Sequence, residues 1–358
     1  MINDLELQNY RSYDHHRFPL HPSTTLVVGP NATGKTNLLE SIFVLANTKS
    51  FRTSDRELIK HGQTFFRIEA TTPEGKIGLG YEINPKTTKK IDYNSVKRPL
   101  AKHIGNLPTV LFEPFDLQLL SGPPSNRRRY IDGLLTQTDQ EYLLALNQYQ
   151  KILKQRNSLL EKFDIGAVKD QIFAWDLNLT TAAKLIVERR LDLLEYLNYS
   201  TPPLYASISG QTVSLNFQYL SSIKLTNNYG EAFLDALAQN LPRDLAAGFT
   251  TIGPHREDFG LSFDKSEVAA VASRGEIRSL ILALKLAELE LIAQMKDNPI
   301  LLLDDVFSEL DESRRKFLIK RLAGYQTIIT TTDADLAKNI KLDHSLIEMS
   351  KIDRYAIN

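Results

Sequence analysis

The stretch Gly29-Pro30-Asn31-Ala32-Thr33-Gly34-Lys35-Thr36 constrains this chain more than any other. It matches G-x-x-x-x-G-K-[ST], the phosphate-binding P-loop. Thr25, Leu26, Val27 and Val28 read as a short buried strand, and Leu38, Leu39, Ile42 and Leu45 carry helical spacing. A strand, a glycine-rich loop and a helix in that order are the context the motif requires, and they place the chain in the α/β class. Gly29 and Gly34 allow the backbone to turn its N–H groups toward phosphate oxygens, and the helix N-terminus adds positive potential. Lys35 is expected to reach the β- and γ-phosphates and Thr36 to hold Mg²⁺, which makes ATP and Mg²⁺ the expected cofactors.

A P-loop alone fits kinases, GTPases, helicases and transporters, and later residues narrow the choice. Ile300 to Leu303 is an aliphatic run followed by Asp304 and Asp305, the pattern of a buried parallel strand ending in two carboxylates. Asp304 is expected to order the Mg²⁺ shell as a Walker B aspartate, and Asp305 to polarise the attacking water as a general base. By themselves these residues fit a strand followed by a helix cap equally well.

Just upstream, Ser273-Arg274-Gly275-Glu276 opens an apolar-periodic helix expected from Ile277 to about Ala293. Ser273 and Glu276 have the spacing of a capping box, and locally that is sufficient explanation. Its position says more: a Ser-x-Gly-x helix start before a Walker B strand, roughly 240 residues after the P-loop, is the arrangement of ABC-type ATPases. There the signature helix binds the γ-phosphate of a nucleotide held by a partner subunit. Ser273, Gly275 and Glu276 would then act in trans, within an ATP-dependent homodimer that buries two nucleotides across a two-fold axis. Ser308-Glu309-Leu310-Asp311 occupies the place of the ABC D-loop, with Ser308 and Asp311 as its polar members. Ile328 to Asp333 reads as a further strand, with Thr332 and Asp333 where ABC proteins carry a switch histidine.

The distance between P-loop and Walker B implies an insertion. Gln137 to Leu160 and Asp170 to Leu197 read as two helices, linked by a turn at Phe163-Asp164-Ile165-Gly166, which together form an αα-hairpin. Beyond Pro202 and Pro203, the alternation of Val213, Leu215, Phe217 and Tyr219 reads as a strand. The expected division is 1–135 for the N-terminal part of the ATPase head, 136–245 for the inserted arm, and 246–358 for the C-terminal part of the head.

Lysine plus arginine equal aspartate plus glutamate at 43 each, so no overall basic field argues for nucleic acid, and DNA contacts have to come from local patches. Candidates are Arg127, Arg128 and Arg129 after the Gly122-Pro123-Pro124 turn, and Lys86, Lys89, Lys90, Lys97, Arg98 and Lys102 around a hairpin; a solvated surface explains such runs equally well. With no cysteine, disulfides and thiolate metal sites are excluded. No run approaches the roughly 18 apolar residues of a membrane span, and Met1-Ile2-Asn3-Asp4 lacks the features of a signal peptide, so a cytoplasmic protein without a membrane partner is expected.

Along nearly its whole length the chain resembles the RecF family, bacterial recombination-mediator ATPases related to SMC proteins. The resemblance is carried by Leu7-Gln8-Asn9-Tyr10-Arg11-Ser12-Tyr13, the P-loop, Lys49-Ser50-Phe51-Arg52-Thr53 and Pro114 to Leu117. It continues through Arg127-Arg128-Arg129-Tyr130-Ile131-Asp132, Lys154-Gln155-Arg156-Asn157, Trp175-Asp176 and Gly253-Pro254-His255-Arg256-Glu257-Asp258. It closes with Leu303-Asp304-Asp305-Val306-Phe307-Ser308-Glu309-Leu310-Asp311. The signature departs from the usual Ser-Gln-Gly-Gln, keeping Ser273 and Gly275 and placing Glu276 last as SMC proteins do. The resemblance implies an ABC-type head of mixed sheets and flanking helices with a helical-hairpin arm. It also implies ATP contacts by Arg11 and Asn37, a weak DNA-stimulated ATPase, and an ATP-driven dimer that clamps DNA at single-strand/double-strand junctions. With RecO and RecR as partners it would promote RecA loading, replication restart and SOS induction. A transporter-type ABC ATPase would carry a switch histidine, and a small-molecule kinase would lack the signature and double acid. A clamp that only binds ATP stays open, because Asp305 is shorter than the usual ABC glutamate.

Overall fold

The computed structural model describes residues 1–161, 165–226, 228–296, 298–333 and 343–350. The chain divides into two compact units, one made of Met1–Asp116 with Glu288–Asn358 and the other of Leu117–Ala287.

The first unit is built on two sheets. Its parallel sheet has the order His344–Glu348, Thr24–Val28, Thr327–Thr331, Ile300–Asp304, Thr109–Phe112. Leu26, Val27, Ile300, Leu301, Leu302, Leu303 and Ile329 have no exposed surface, as expected where both faces of a parallel sheet are covered. The strand before the P-loop and the strand that ends at Asp304 flank Thr327–Thr331 on either side, so their C-terminal ends lie together at one edge of the sheet. Helix Lys35–Asn47 follows the loop directly and buries Leu38, Leu39, Ile42 and Leu45 completely, the face its spacing predicts.

The second sheet is antiparallel, with the order Tyr13–Pro19, Asp4–Tyr10, Phe65–Thr72, Gly75–Glu82, Thr88–Tyr93, Val96–Arg98. Phe66, Ile68 and Ala70 point into the core while Phe65, Arg67 and Glu69 stay partly exposed, the period-two pattern of a half-solvated sheet. Asn94 and Ser95 both take positive φ, 48° and 66°, and close the expected basic hairpin, as a two-residue type I′ turn requires.

In the second unit the expected αα-hairpin is present, with different ends. One helix runs Pro124–Thr138 and a new one starts at Gln140, where Asp139 accepts from Glu141 N and Tyr142 N. The predicted single start at Gln137 missed this cap, which satisfies two amides that begin the second helix. Its partner spans Ile165–Ser209, so Ile165 and Gly166, read as turn residues, begin a helix. Phe163 and Asp164 lie outside the described residues. The same helix continues through Pro202 and Pro203, although proline removes a helical donor. Beyond the prolines Leu204, Tyr205 and Ile208 are buried, and that burial holds the last turns in place. Helix Tyr229–Ala247 and the antiparallel strands Leu215–Leu220, Asp258–Phe263 and Ser266–Glu267 complete the unit. The signature helix spans Arg274–Met295, and the boundary between units falls within it.

Candidate nucleotide site

Gly34 closes the loop at φ 101° and ψ 0° as the N-cap of helix Lys35–Asn47, with no side-chain cap on the helix's first amides. Only glycine takes this conformation without strain. A Cβ at Gly34 would stand 2.8 Å from the Tyr13 hydroxyl, and one at Gly29 would stand 2.3 Å from Met349 O. The loop is thus gripped from both sides: Tyr13 donates to Gly34 O at 3.0 Å, and Met349 N donates to Val28 O at 2.8 Å. Thr33 bonds back to Pro30 O at 3.0 Å, while Pro30 and Asn31 stay exposed and Ala32 takes φ 67°.

Lys35 is nearly buried, and its Nζ donates to Gly29 O at 2.7 Å and Pro30 O at 2.8 Å. This holds the ammonium within the curl of the loop. Burial lowers its pKa, and the carboxylates of Asp305 and Asp304 act in the opposite direction. Thr36 Oγ1 donates to Asp304 Oδ1 at 2.9 Å across 268 residues of sequence. A hydroxyl and a carboxylate converging beside a P-loop are the donor set that a P-loop Mg²⁺ requires.

Asp305 follows at φ 52°, with its N–H bonded to Thr330 O at 3.1 Å and to Thr330 Oγ1 at 3.1 Å. Its Oδ1 is buried with no hydrogen-bond partner among the described residues. Burial raises its pKa, the neighbouring Asp304 charge adds to the rise, and Lys35 opposes both. An orphaned carboxylate oxygen with raised proton affinity, beside a second carboxylate, is the kind of group that general-base chemistry uses.

The remaining predicted residues divide by task. Asn37 donates to Ser12 Oγ at 3.1 Å. Arg11 is held bidentately by Glu40, at 2.9 and 2.8 Å, and Ser50 also donates to Glu40 at 2.6 Å. Sequence reasoning missed Glu40, although a carboxylate on the buried face of a helix four residues after Thr36 is a signal that it needs a cation. Ser308 Oγ donates to Asp305 O at 2.7 Å, and Asp311 caps helix Glu312–Leu322 by accepting from Arg314 N at 2.9 Å. Thr332 and Asp333 are exposed just past the end of the strand Thr327–Thr331.

In the second unit, Glu276 accepts from Ser273 N at 2.7 Å and Ser273 Oγ accepts from Glu276 N at 3.3 Å, the reciprocal capping box expected. Ser273 is exposed at the helix start and Gly275 lies one residue inside it. The three arginines named as DNA candidates differ. Arg127 forks onto Asp258 with contacts of 2.6 to 3.1 Å and donates to Gly122 O at 2.9 Å, so its guanidinium ties a helix to a strand. Arg128 donates to Glu257 O at 3.0 Å, and Arg129 faces solvent. In the hairpin of the first unit, Lys89 pairs with Asp55 at 2.6 Å, while Lys86, Lys90, Lys97, Arg98 and Lys102 are exposed.

A P-loop, a Walker B pair, a capped signature helix and an inserted helical hairpin define an ATPase head of the SMC-like ABC class. The model of the RecF/RecN/SMC N-terminal domain family matches residues 1–354. The chain belongs to the RecF family. It is 37% identical over 370 aligned positions to the DNA replication and repair protein RecF of Staphylococcus aureus, covering all of this chain and 98% of that one. The RecF of Staphylococcus carnosus matches to the same degree, 37% over the same span. Among solved structures, the recombination mediator protein RecF-ATPrS in the RecFOR pathway superposes with a TM-score of 0.88 at 32% identity, covering 98% of this chain and 96% of that one. The Smc head domain of Pyrococcus furiosus, bound to the C-terminal domain of ScpA, gives a TM-score of 0.53 at 14% identity over 98% of this chain and 94% of that one. At that identity it shows the fold alone.

Proposed function

We propose that this chain works as a slow, DNA-stimulated ATPase that dimerises on ATP and clamps DNA at gaps and junctions. The observation that carries the reading is Thr36 Oγ1 at 2.9 Å from Asp304 Oδ1, because this pair has no sequence proximity and converges where Mg²⁺ is needed. Gly29 to Thr36 would hold the phosphates, with Lys35 on the β- and γ-oxygens. Thr36 and Asp304 would hold Mg²⁺, which when bound supplies charge neutralisation on the phosphate oxygens. Asp305 would take the proton of the attacking water.

Ser273 and Gly275 would close the partner's site, with Ser308, Asp311, Thr332 and Asp333 relaying between the two. Arg127 and Arg128 are engaged within the second unit, so exposed Arg129 there, and separately Lys86, Lys90, Lys97, Arg98 and Lys102 in the first unit, are the better candidates for phosphodiester contact. Membership of the family supports RecO and RecR as partners, RecA loading as the outcome and a cytoplasmic location. Among the described residues, no helix is long and apolar enough to cross a membrane.

Binding of a fluorescent ATP analogue to wild type and to Lys35→Met tests the reading. Loss of affinity by about 100-fold or more is expected from the missing phosphate contact, with an unchanged far-ultraviolet circular dichroism spectrum. Unaltered affinity in a folded variant would refute the P-loop assignment.

A further inference from the structure

The strand Thr327–Thr331 carries a residue bonded to both Asp304 and Asp305 that neither the P-loop nor the Walker pair includes. Thr330 has no exposed surface and stands in register with Asp304 in the parallel pairing. Its Oγ1 donates to Asp304 Oδ1 at 2.6 Å, the oxygen that also accepts from Thr36. The same hydroxyl accepts the Asp305 N–H at 3.1 Å, and the Thr330 carbonyl accepts it at 3.1 Å. One residue therefore holds the carboxylate of Asp304 through its side chain and the peptide leading to Asp305 through both its side chain and its backbone.

Its strand neighbours use their hydroxyls locally. Thr327 bonds to Tyr325 O at 3.2 Å, and Thr331 accepts from Asp333 N at 3.0 Å. A buried threonine is stiff about χ1, so its hydroxyl sits at a fixed point relative to the sheet. Asp305 has a left-handed backbone at φ 52°, a conformation that persists only where its surroundings hold it.

We infer that Thr330 is a positioning residue of the ATPase site: its hydroxyl aims Asp304 at the metal and pins the turn that presents Asp305. The inference rests on the reading of Thr36 and Asp304 as metal ligands. Outer partners of metal-ligating carboxylates typically change metal affinity or activity by about 10- to 100-fold when removed.

The test uses full-length Thr330→Val and Thr330→Ser beside wild type. Fluorescent ATP-analogue binding is measured in EDTA and across a Mg²⁺ titration, and turnover is measured at saturating ATP. Thr330→Val should bind the analogue in EDTA as wild type does. Its half-saturating Mg²⁺ should rise, and kcat should fall, each by about 10-fold or more. Thr330→Ser, which restores the hydroxyl, should recover most of both; a defect that came only from altered packing would not follow the hydroxyl. If Thr330→Val does not fold, Thr330→Cys, a weaker donor of similar bulk, should show the same Mg²⁺ shift. Folded Thr330→Val or Thr330→Cys with the wild-type Mg²⁺ curve would overturn the inference. Wild-type binding that ignores Mg²⁺ would instead overturn the metal-site reading beneath it.

Discussion

His255 sits in the loop Gly253–Asp258, with Nδ1 2.7 Å from the Tyr149 hydroxyl and Nε2 3.1 Å from Thr250 O. A neutral ring with its proton on Nε2 satisfies both contacts, accepting from Tyr149 and donating to Thr250. Burial pushes its pKa down to about 4, helped by the Arg256 and Arg128 charges and opposed by the Thr250 bond and Asp244. A folded-state value below the unfolded one means that the unfolded chain takes up the proton first as pH falls. The stability this residue contributes is complete above about pH 6.5 and is lost progressively toward pH 4, amounting to about 2 kcal/mol by pH 5. Urea unfolding at pH 7 and pH 5 should therefore show a steeper loss in wild type than in His255→Gln; equal slopes would contradict the assignment. At this scale the sequence announces loop chemistry well and cross-strand chemistry poorly. Lys35, Thr36 and Asp304 are readable because their motifs are contiguous or end a strand. Thr330 is not, because its task depends on which strand lies beside Ile300–Asp304. The ion pair of Arg127 is hidden for the same reason: its partner, Asp258, lies 131 residues away.

Three helices of the second unit, Gln140–Leu160, Ile165–Ser209 and Tyr229–Ala247, meet at one buried guanidinium. Arg156 is fully buried and donates to Asp176 at 2.6 Å, Asp244 at 2.6 Å and Thr250 Oγ1 at 2.8 Å. Asn157 supports the same point by accepting from Thr250 N at 2.9 Å. Replacing the arginine with methionine would keep the aliphatic bulk and leave two buried carboxylates without a cation. The expected loss is about 3–5 kcal/mol, the range for breaking a buried pair from one side, read as a lower urea midpoint for Arg156→Met. A loss under about 1 kcal/mol would show that the carboxylates find other partners. Apolar spacing made both hairpin helices legible in outline. Their ends were not, since Asp139 restarts a helix by capping, and burial of Leu204, Tyr205 and Ile208 carries the long helix past two prolines. Periodicity reports a face; caps and tertiary burial decide the ends.

At the scale of the whole molecule, each active site would be made by two chains. Thr36 meets Asp304 beside the P-loop, and Ser273 is exposed at the start of a capped helix, where it could reach a nucleotide held by another copy. Two-fold pairing of identical surfaces would complete both sites at once. The most direct test mixes two defective chains. Ser273→Arg keeps its P-loop and loses its signature; Lys35→Met keeps its signature and loses its P-loop. Each alone should hydrolyse ATP at background. In an equimolar mixture, where neither chain pairs with itself on ATP, every dimer that forms is mixed and holds one intact site of two, so turnover should recover to at most about half of wild type. No recovery, or ATP-driven dimerisation and full turnover by Ser273→Arg alone, would contradict the shared site.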